Sequence, residues 1–286
     1  MTQIEKDPGA LRHPVRDLPL LIALDVDGTV LHHDGRLSER VAAAVRRLDA
    51  LAHVTVVIAT GRSVVATLPV MERLGLLTPG RPAVCSNGAV TVSVDPHAEG
   101  GFRLEDVITF DPAPAVSLVR RELPSVLVAV EEVGVGFKVS TPFPPGELWG
   151  EEMIVPVEEL VARPATRVTF RDPSSTSEEF AQLIERIGLH GVSYAVGYSA
   201  WLDLAPEGVS KASALEQLRR QLGIEPHRTV AVGDQRNDLE MLAWAARGYA
   251  MGQAPPEVIA AANLVTGTIQ EDGAAEALDE VLADLA

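Results

Sequence analysis

The chain has 286 residues, 47% of them hydrophobic, which is enough for one large domain or two ordinary ones with a buried core. Its 40 acidic residues outnumber its 24 lysines and arginines, and the net charge is −16. Such an acidic chain repels phosphate backbones, and no dense basic patch in the sequence offsets the repulsion, so nucleic acid is excluded as an expected partner.

The sequence predicts neither a targeting signal nor a disulfide. No apolar run is long enough to span a membrane, and the first 18 residues lack the apolar segment of a signal peptide. The single cysteine, Cys85, permits no internal disulfide, and its apolar neighbours favour a buried, inert thiol. We therefore expect a cytoplasmic protein without a membrane partner.

The apolar run at residues 20–24 ends in Asp25, Asp27, Gly28 and Thr29. Continuous hydrophobicity predicts a strand buried on both faces of a parallel sheet, with the acids at the edge where open α/β sheets bind ligands. Side chains two apart on a strand share a face, and two like charges at about 4 Å and an effective dielectric near 20 repel by roughly 4 kcal/mol. The pair therefore requires a divalent cation, a nearby lysine or a raised pKa, unless Asp27-Gly28 is only a turn.

The next segments alternate between helices and buried strands, which predicts a parallel sheet with right-handed crossovers. The predicted elements are a helix capped by Ser38, a strand at 54–59 that ends at Thr60-Gly61-Arg62, a helix to Leu74 stopped by Gly75, and a strand at 83–86 that ends at Asn87.

From residue 89 to residue 205 the pattern changes to more numerous strands, separated by proline-rich joints. Strands are predicted at 89–94, 125–130, 136–140, 166–170 and 192–196, and helices at 114–123 and 175–187. This mixture predicts an α+β domain inserted into the parallel one. We expect a flexible tail at 1–18, a core made of 19–88 and 206–286, and an inserted domain at 89–205.

The alternation of helices and buried strands returns in the last part of the chain. Lys211 stands at the start of a predicted helix at 210–222, and a buried strand at 229–232 leads to Asp234 and Asp238. Further elements are predicted at 239–246, 249–251, 256–262, 264–266 and 273–285. The predicted fold class is α/β, with a doubly wound, mostly parallel, Rossmann-like core sheet and an inserted α+β cap domain.

The acids at these strand ends suit phosphoryl transfer. A carboxylate nucleophile needs no deprotonation at neutral pH, so Asp25 is a candidate for an aspartyl-phosphate intermediate. Mg²⁺ would neutralise the phosphate and prefers oxygen ligands, for which Asp25 and Asp234 are candidates with Asp238 close by. Asp27 would protonate the leaving alcohol and then activate water.

Two other side chains would offset the remaining charge, and each has a simpler explanation. Lys211 would pair with the negative charge, yet a lone helical lysine is more often on the surface. Thr60 would hold a phosphate oxygen through its hydroxyl, although Thr60-Gly61-Arg62 alone is a weak signal. Asp234 and Asp238 also suit the first turn of a helix. Their joint occurrence at element boundaries favours a site.

Four motifs together resemble those of the haloacid dehalogenase-like superfamily: Asp25-Val26-Asp27-Gly28-Thr29, Thr60-Gly61-Arg62, Lys211, and Gly233-Asp234-Gln235-Arg236-Asn237-Asp238. Its Cof-type branch is similar in Ser86-Asn87-Gly88-Ala89, Pro206-Glu207-Gly208-Val209-Ser210-Lys211, Met241-Leu242 and Glu271-Asp272-Gly273. That branch carries an α/β cap of type C2B between the second and third motifs. The resemblance is specific in both core halves, whereas only size and strand content match at residues 90–200.

The resemblance implies a Mg²⁺-dependent phosphatase that hydrolyses a small phosphate monoester, such as a sugar phosphate or a phosphorylated cofactor. It implies that Asp25 is the nucleophile, that Asp27 is the acid and base, and that Lys211 assists them. The implied metal-binding residues are Asp25, Asp27 through its backbone carbonyl, Asp234, and Asp238 mostly through water. The implied phosphate-binding residues are Thr60, Gly61, Lys211 and Asn237, with Arg62 and Asn87 as further contacts.

Two other functions fit the same residues. A phosphomutase or phosphotransferase of the phosphomannomutase type would pass the phosphoryl group to an alcohol. A non-catalytic small-phosphate-binding module would leave buried carboxylates without a metal, which is unfavourable. The expected partner is a small phosphorylated metabolite, and no oligomeric state is predicted. No substrate contact is assigned in the cap, whose aromatic and cationic candidates are Phe137, Lys138, Trp149, Tyr194, Tyr198 and Trp201.

Overall fold

The computed structural model describes residues 18–188, 191–196 and 200–285. In this part of the chain the strands form two sheets, one 8-stranded and one 6-stranded. The tail expected at 1–18 lies outside the described residues except for Leu18. None of the described helices combines the length and the apolar character needed to cross a lipid bilayer.

The strands of the described residues are β1 (Leu20–Leu24), β2 (Val54–Ala59), β3 (Pro82–Cys85), β4 (Val90–Val94), β5 (Phe102–Val107), β6 (Leu127–Glu132), β7 (Gly136–Val139), β8 (Glu151–Ile154), β9 (Val168–Arg171), β10 (Val192–Val196), β11 (Trp201–Pro206), β12 (Thr229–Gly233), β13 (Arg247–Ala250) and β14 (Leu264–Val265). The helices are α1 (Glu39–Asp49), α2 (Val64–Leu74), α3 (Ala113–Glu122), α4 (Val157–Leu160), α5 (Ser177–Ile187), α6 (Lys211–Gln221), α7 (Leu239–Trp244), α8 (Pro256–Ala261) and α9 (Gly273–Leu285).

The larger sheet is the core, with strand order β14-β13-β12-β1-β2-β3-β4-β5. Strand β1 lies between β12 and β2 and pairs in parallel with both. All five of its residues are buried, as expected for an apolar strand covered on both faces. Because β1, β2 and β12 run the same way, the residues that follow them meet at one edge of the sheet.

Helices cover both faces of the core sheet, which confirms the doubly wound prediction. Helices α1, α2 and α9 pack on one face, and α6, α7 and α8 pack on the other. The predicted boundaries of two helices are also confirmed. Ser38 caps α1 by accepting a hydrogen bond from the backbone of Arg40, and Gly75 ends α2 in the left-handed conformation with φ 81°.

The inserted domain begins later than expected. Residues 90–107 were assigned to it, but β4 and β5 extend the core sheet as antiparallel strands. A tight turn after β3 pairs Cys85 with Val90, and such a connection needs no crossover. Alternation of apolar residues predicts a strand but does not indicate which sheet the strand joins, so the prediction was wrong for this segment.

The smaller sheet forms the cap, with strand order β10-β11-β9-β6-β7-β8. Its pairs are antiparallel except for β7 with β8. Helices α3 and α5 contribute Val116, Val119 and Phe180 to a separate hydrophobic core. The sequence reading missed β5, β8, α4 and β11. The residues of β8, Glu-Glu-Met-Ile, are all exposed at a sheet edge and show no alternation.

Candidate active site

The chain turns sharply after β1. The N–H groups of Val30 and Leu31 both donate to the carbonyl of Val26, at 2.9 and 2.8 Å, and Gly28 has φ 84°. This turn buries Asp25, which is 4% exposed, while the side chain of Asp27 remains 54% exposed. The prediction of a turn at Asp27-Gly28 is therefore correct for the backbone. Asp25 and Asp27 differ in exposure, since one is buried and the other faces solvent.

Lys211 links the buried acids. Its Nζ donates to Oδ1 of Asp25 at 2.6 Å and to Oδ1 of Asp238 at 2.7 Å. The lysine is fully buried, so the explanation of a surface lysine is wrong. It is the first residue of α6, where Ser210 and Ser213 form a capping box that fixes the start of the helix.

The other oxygen of Asp238 holds the loop after β12. Oδ2 accepts hydrogen bonds from the backbone N–H groups of Asp234 and Gln235, each at 3.0 Å. Asp238 therefore does stabilise a helix start, as the simpler explanation requires, while its Oδ1 belongs to the charged cluster. One oxygen of this carboxylate thus supports the backbone of the loop, and the other pairs with Lys211.

The charged cluster carries more negative than positive charge. Burial raises the pKa of Asp25, Asp238 and Asp234 raise it further, and Lys211 lowers it. Burial, followed by the charge of Asp238, raises the pKa of Asp234 to about 6. Burial alone would lower the pKa of Lys211, but Asp238 and Asp25 raise it above its usual value. A further cation bound at these carboxylates would favour their ionised forms.

The same acids fit a divalent metal ion. Carboxylate oxygens of Asp25, Asp234 and Asp238 lie within 4.8 Å of one another, and all three residues are buried. Hard oxygen ligands of this kind suit Mg²⁺. Thr29 donates to Oδ1 of Asp234 at 3.4 Å, which helps to orient that carboxylate. The carboxylate of Asp27 is not in this group, and the predicted contact of its backbone carbonyl with the metal stays a prediction.

Asp27 pairs with Arg62 instead. Nε of Arg62 donates to Oδ2 of Asp27 at 2.8 Å and Nη2 donates to Oδ1 at 2.6 Å, which is a bidentate ion pair. The hydrogen bonds from this pair raise the pKa of Arg62. Asp25 and Asp27 therefore have different cationic partners, Lys211 and Arg62, which supply the compensation that the sequence required for two neighbouring acids.

Thr60 and its neighbours form the floor of the site. The backbone N–H of Arg62 donates to Oγ1 of Thr60 at 3.1 Å, and the N–H of Asn87 donates to the carbonyl of Thr60 at 3.0 Å. Asn237 donates from Nδ2 to Oδ1 of Asn87 at 3.0 Å. Three segments of the core thus meet here, as the convergence of strand ends predicted.

A cleft of about 390 Å³ lies between these segments and the cap. The core side is lined by Asp25, Asp27, Thr60, Gly61, Arg62, Asn87 and Asn237. The cap side includes Phe137, Glu147, Trp149, Arg167, Trp201 and Asp203. Lys211, Asp234 and Asp238 are fully buried and do not line the cleft.

The aromatic and cationic residues of the cap that were candidates for substrate contact differ in where they lie. Phe137, Trp149 and Trp201 line the cleft, whereas Lys138 lies 3.2 Å from Glu132 and 3.6 Å from Glu159 in ion pairs. The side chain of Tyr194 and the whole of Tyr198 lie outside the described residues.

Several cleft residues were not anticipated from the sequence, among them Glu147, Arg167 and Asp203. Arg167 and Asp203 are charged residues beside or within apolar strands, and this weak signal could have drawn attention to them. Gln253 was also missed. Its Nε2 donates to the carbonyl of Gly28 at 2.7 Å and so supports the turn after β1.

The structure confirms that Cys85 is buried. Burial raises the pKa of its thiol to about 12, and the thiol donates to Oγ1 of Thr67 at 3.5 Å. A thiol with this pKa is protonated at neutral pH and unreactive, as the sequence predicted.

A family model described as haloacid dehalogenase-like hydrolase matches residues 22–112 and 151–278. The chain belongs to the haloacid dehalogenase-like hydrolase family. The match spans both core halves and parts of the cap, which confirms the resemblance seen in the motifs and the prediction that the protein is an enzyme.

Several similar proteins are named as phosphatases. The chain is 29% identical over 258 residues to a phosphoglycolate phosphatase of Natronomonas pharaonis, which covers 90% of this chain and 96% of that protein. It is 27% identical over 275 residues to a 5-amino-6-(5-phospho-D-ribitylamino)uracil phosphatase of Bacillus subtilis, which covers 92% of this chain and 97% of that protein.

A solved structure of a sugar phosphatase of subclass IIB in this superfamily has the same fold. It aligns with a TM-score of 0.75 at 23% identity and covers 91% of this chain and 98% of that chain. At this identity the likeness shows the fold, which agrees with the predicted Cof-type core and inserted cap.

Proposed function

We propose that this chain is a Mg²⁺-dependent phosphatase that hydrolyses a small phosphate monoester through an aspartyl-phosphate on Asp25. The observation that carries the proposal is the buried cluster in which Lys211 bridges Asp25 and Asp238 beside Asp234. The cluster lies directly behind a cleft that presents Asp25 and Thr60. Family membership and the names of the similar proteins support the same reaction class.

The first step transfers the phosphoryl group to Asp25. Lys211 holds Oδ1 of Asp25, which leaves the other oxygen to attack phosphorus. A new O–P bond forms, the ester P–O bond breaks, and the leaving oxygen takes a proton from Asp27, which enters this step as the carboxylic acid. Asp25, Asp234 and Asp238 would hold Mg²⁺, which would neutralise negative charge on the phosphate. For this proton transfer, the carboxyl group of Asp27 has to break its hydrogen bonds with Arg62 and contact the oxygen of the leaving group.

The second step returns the enzyme to its starting state. Asp27, now ionised, takes a proton from water, and the water oxygen attacks phosphorus of the aspartyl-phosphate. The bond to Asp25 breaks and inorganic phosphate leaves. Thr60, Gly61 and Asn237 line the cleft and would hold the phosphate oxygens, with Arg62 and Asn87 as further contacts. Lys211 would support the phosphate through the cluster.

The size of the cleft favours a small substrate. A volume of about 390 Å³ is near the lower end of ordinary ligand pockets and is shared between the phosphate and its leaving group. Phosphoglycolate, named for one similar protein, is a small phosphate monoester of this kind. The proposed substrate is therefore a small phosphorylated metabolite.

Replacing Asp25 tests the nucleophile. Asp25→Asn keeps the size of the side chain but removes the attacking oxygen, so Mg²⁺-dependent phosphate release should fall to below about one thousandth of wild type. Phosphate release from a panel of phosphomonoesters is the measurement. Asp34→Asn, a change at an exposed acid, is the matched control and should leave the rate unchanged. Full activity in Asp25→Asn would exclude this nucleophile.

The same panel separates the alternatives. Free phosphate as the product supports hydrolysis, whereas an isomeric sugar phosphate would identify a phosphomutase. Absence of turnover with every ester in the presence of Mg²⁺ would favour a non-catalytic binding module.

A further inference from the structure

Two buried charges of the cap face the core. Glu131 lies on β6, and Arg167 directly precedes β9, the neighbouring strand. Nε of Arg167 is 3.5 Å from Oε2 of Glu131, and their side chains are 8% and 0% exposed. We call this pair the clasp. Charged side chains that are this deeply buried require hydrogen-bond or ion-pair partners, and the clasp has such partners in loops of the core.

Glu131 holds the turn that follows β3. The hydroxyl of Ser86 donates to Oε2 and Oε1 of Glu131, at 2.7 and 2.9 Å. Ser86 and Asn87 have φ values of 50° and 55°, a conformation that L-residues adopt rarely and only when neighbouring contacts stabilise it. Charge-assisted hydrogen bonds donated by Ser86 to the buried carboxylate of Glu131 are contacts of that kind.

Arg167 holds the loop that follows β2. Its Nη1 donates to the carbonyl of Gly61, which belongs to the same peptide group as the N–H of Arg62. That N–H donates to Oγ1 of Thr60 at 3.1 Å. Because the hydroxyl already accepts this bond, its own hydrogen is directed elsewhere and can be donated to a phosphate oxygen. The orientation of the Gly61–Arg62 peptide therefore sets the orientation of the Thr60 hydroxyl.

The two loops are also joined to each other. The N–H of Ser86 donates to the carbonyl of Arg62 at 2.8 Å, and the N–H of Asn87 donates to the carbonyl of Thr60 at 3.0 Å. A displacement of either loop is therefore transmitted to the other. The clasp contacts both loops, one through Glu131 and one through Arg167.

We propose that Glu131 and Arg167 are positioning residues that hold the loops at 60–62 and 86–87 in their phosphate-binding geometry when the cap is docked. The cap then contributes to phosphate binding without touching phosphate, and the core loops are complete only with the cap in place. This inference rests on the proposed phosphatase function. The competing role for Arg167 is direct contact with the leaving group, because its guanidinium stacks 5.0 Å from the Phe137 ring and lines the cleft.

Kinetics with inorganic phosphate as a probe separates these roles, since inorganic phosphate has no leaving group. Arg167→Met should lower kcat by between about tenfold and a hundredfold and weaken competitive inhibition by inorganic phosphate by at least about threefold. Arg167→Lys, which keeps a charged donor, should recover part of both losses. Arg121→Met removes an exposed arginine of the cap and should match wild type. Unchanged phosphate inhibition with a raised KM for bulky esters alone would overturn the proposal in favour of leaving-group contact.

Hydrogen exchange provides a second measurement that does not depend on turnover. Amide exchange in peptides that cover 60–62 and 86–87 should be faster in Arg167→Met and in Ser86→Ala than in wild type or Arg121→Met. Arg167→Met leaves Glu131 buried without its cation and could prevent folding. Ser86→Ala removes only one hydroxyl and keeps both charges, so it tests the same contact in a folded protein. Unchanged exchange in both variants, with wild type active, would overturn the clasp and leave the phosphatase function standing. A wild type that hydrolyses no ester would refute the function, while faster exchange would still support the clasp.

Discussion

At the scale of single residues, the site depends on one lysine and one glycine. Lys211 neutralises part of the charge of two buried acids, although its place at the start of a helix would by itself suit a surface lysine equally well. Gly28 has φ 84°, and a Cβ at this position would lie 2.3 Å from Oδ2 of Asp234. The glycine therefore allows both the turn after β1 and the close approach of a proposed metal ligand.

Gly28→Ala should displace Asp234 and reduce activity. We expect a loss of about tenfold or more in kcat/KM and a destabilisation of about 1–3 kcal/mol from backbone strain and overlap. Steady-state phosphate release and urea unfolding are the measurements. Gly35→Ala is the matched control, because Gly35 has a similar φ of 79° and a Cβ added there would meet nothing within 4 Å. Equal activity of the two variants would contradict a role for Gly28 in placing Asp234.

At the scale of secondary-structure elements, Glu216 connects α6 to α7. Its oxygens accept hydrogen bonds from Nε of Arg219 at 2.8 Å, from Nε of Arg220 at 2.6 Å and from Nε1 of Trp244 at 3.0 Å. Trp244 is on α7, and Lys211 is the first residue of α6. The packing of these two helices therefore helps to fix the lysine of the site.

The contribution of Glu216 should depend on pH. Hydrogen bonds from Arg219, followed by those from Trp244 and Arg220, lower its pKa from 4.5 to about 2. A lowered pKa stabilises the folded state above the unfolded pKa, and this stability is lost as the pH falls from about 4.5 to about 2. Glu216→Gln should therefore cost about 1–2 kcal/mol at pH 7 and progressively less below pH 4.5.

Urea unfolding of wild type and Glu216→Gln between pH 7 and pH 3 measures this difference. The exposed Glu99 provides the control, since Glu99→Gln should leave stability unchanged over the same range. A difference between wild type and Glu216→Gln that grows as the pH falls would have the wrong sign for a lowered pKa.

At the scale of the whole molecule, the cleft belongs to both domains. The core supplies the acids and the loops at 60–62 and 86–87, and the cap supplies aromatic residues and the clasp. The three buried acids Asp25, Asp234 and Asp238 outnumber the one lysine among them, so binding of a cation there should stabilise the entire fold and not only the reaction.

Mg²⁺ should raise the melting temperature of the protein. A ligand that binds only the folded state stabilises it by about 2.7 kcal/mol at a concentration one hundred times its Kd. Asp234→Asn removes one proposed ligand charge and should abolish most of the Mg²⁺-dependent shift, whereas the control Asp34→Asn should retain it. Thermal melts with Mg²⁺ and with EDTA are the measurement, and a shift of equal size in Asp234→Asn would exclude Asp234 as a ligand.

Much of the site was predictable because the elements that carry it have strong local signals. A parallel strand buried on both faces must be continuously apolar, so the polar residues after β1, β2 and β12 stand out in the sequence. The convergence of Asp25, Thr60, Lys211 and Asp238 then follows from the geometry of a doubly wound sheet. The catalytic, phosphate-binding and metal-binding roles of these residues stay predictions until the variants are measured.

Other features depended on contacts between distant segments. The sequence indicated strands after Asn87 but not that β4 and β5 join the core sheet, because either sheet would satisfy their hydrophobic pattern. It also contained no sign that Arg62 would pair with Asp27 or that Arg167 would reach Gly61, which is 106 positions away along the chain.

By itself, therefore, the sequence determined the doubly wound core, the family and the acids at its ligand-binding edge. The tertiary structure decided where the cap begins, that Asp25 pairs with Lys211 while Asp27 pairs with Arg62, and that Glu131 and Arg167 of the cap contact the core loops at 86–87 and 60–62. The physical reason is that periodicity and motifs record the local environment of a residue, whereas pairing between charges and between sheets depends on which distant segments pack together.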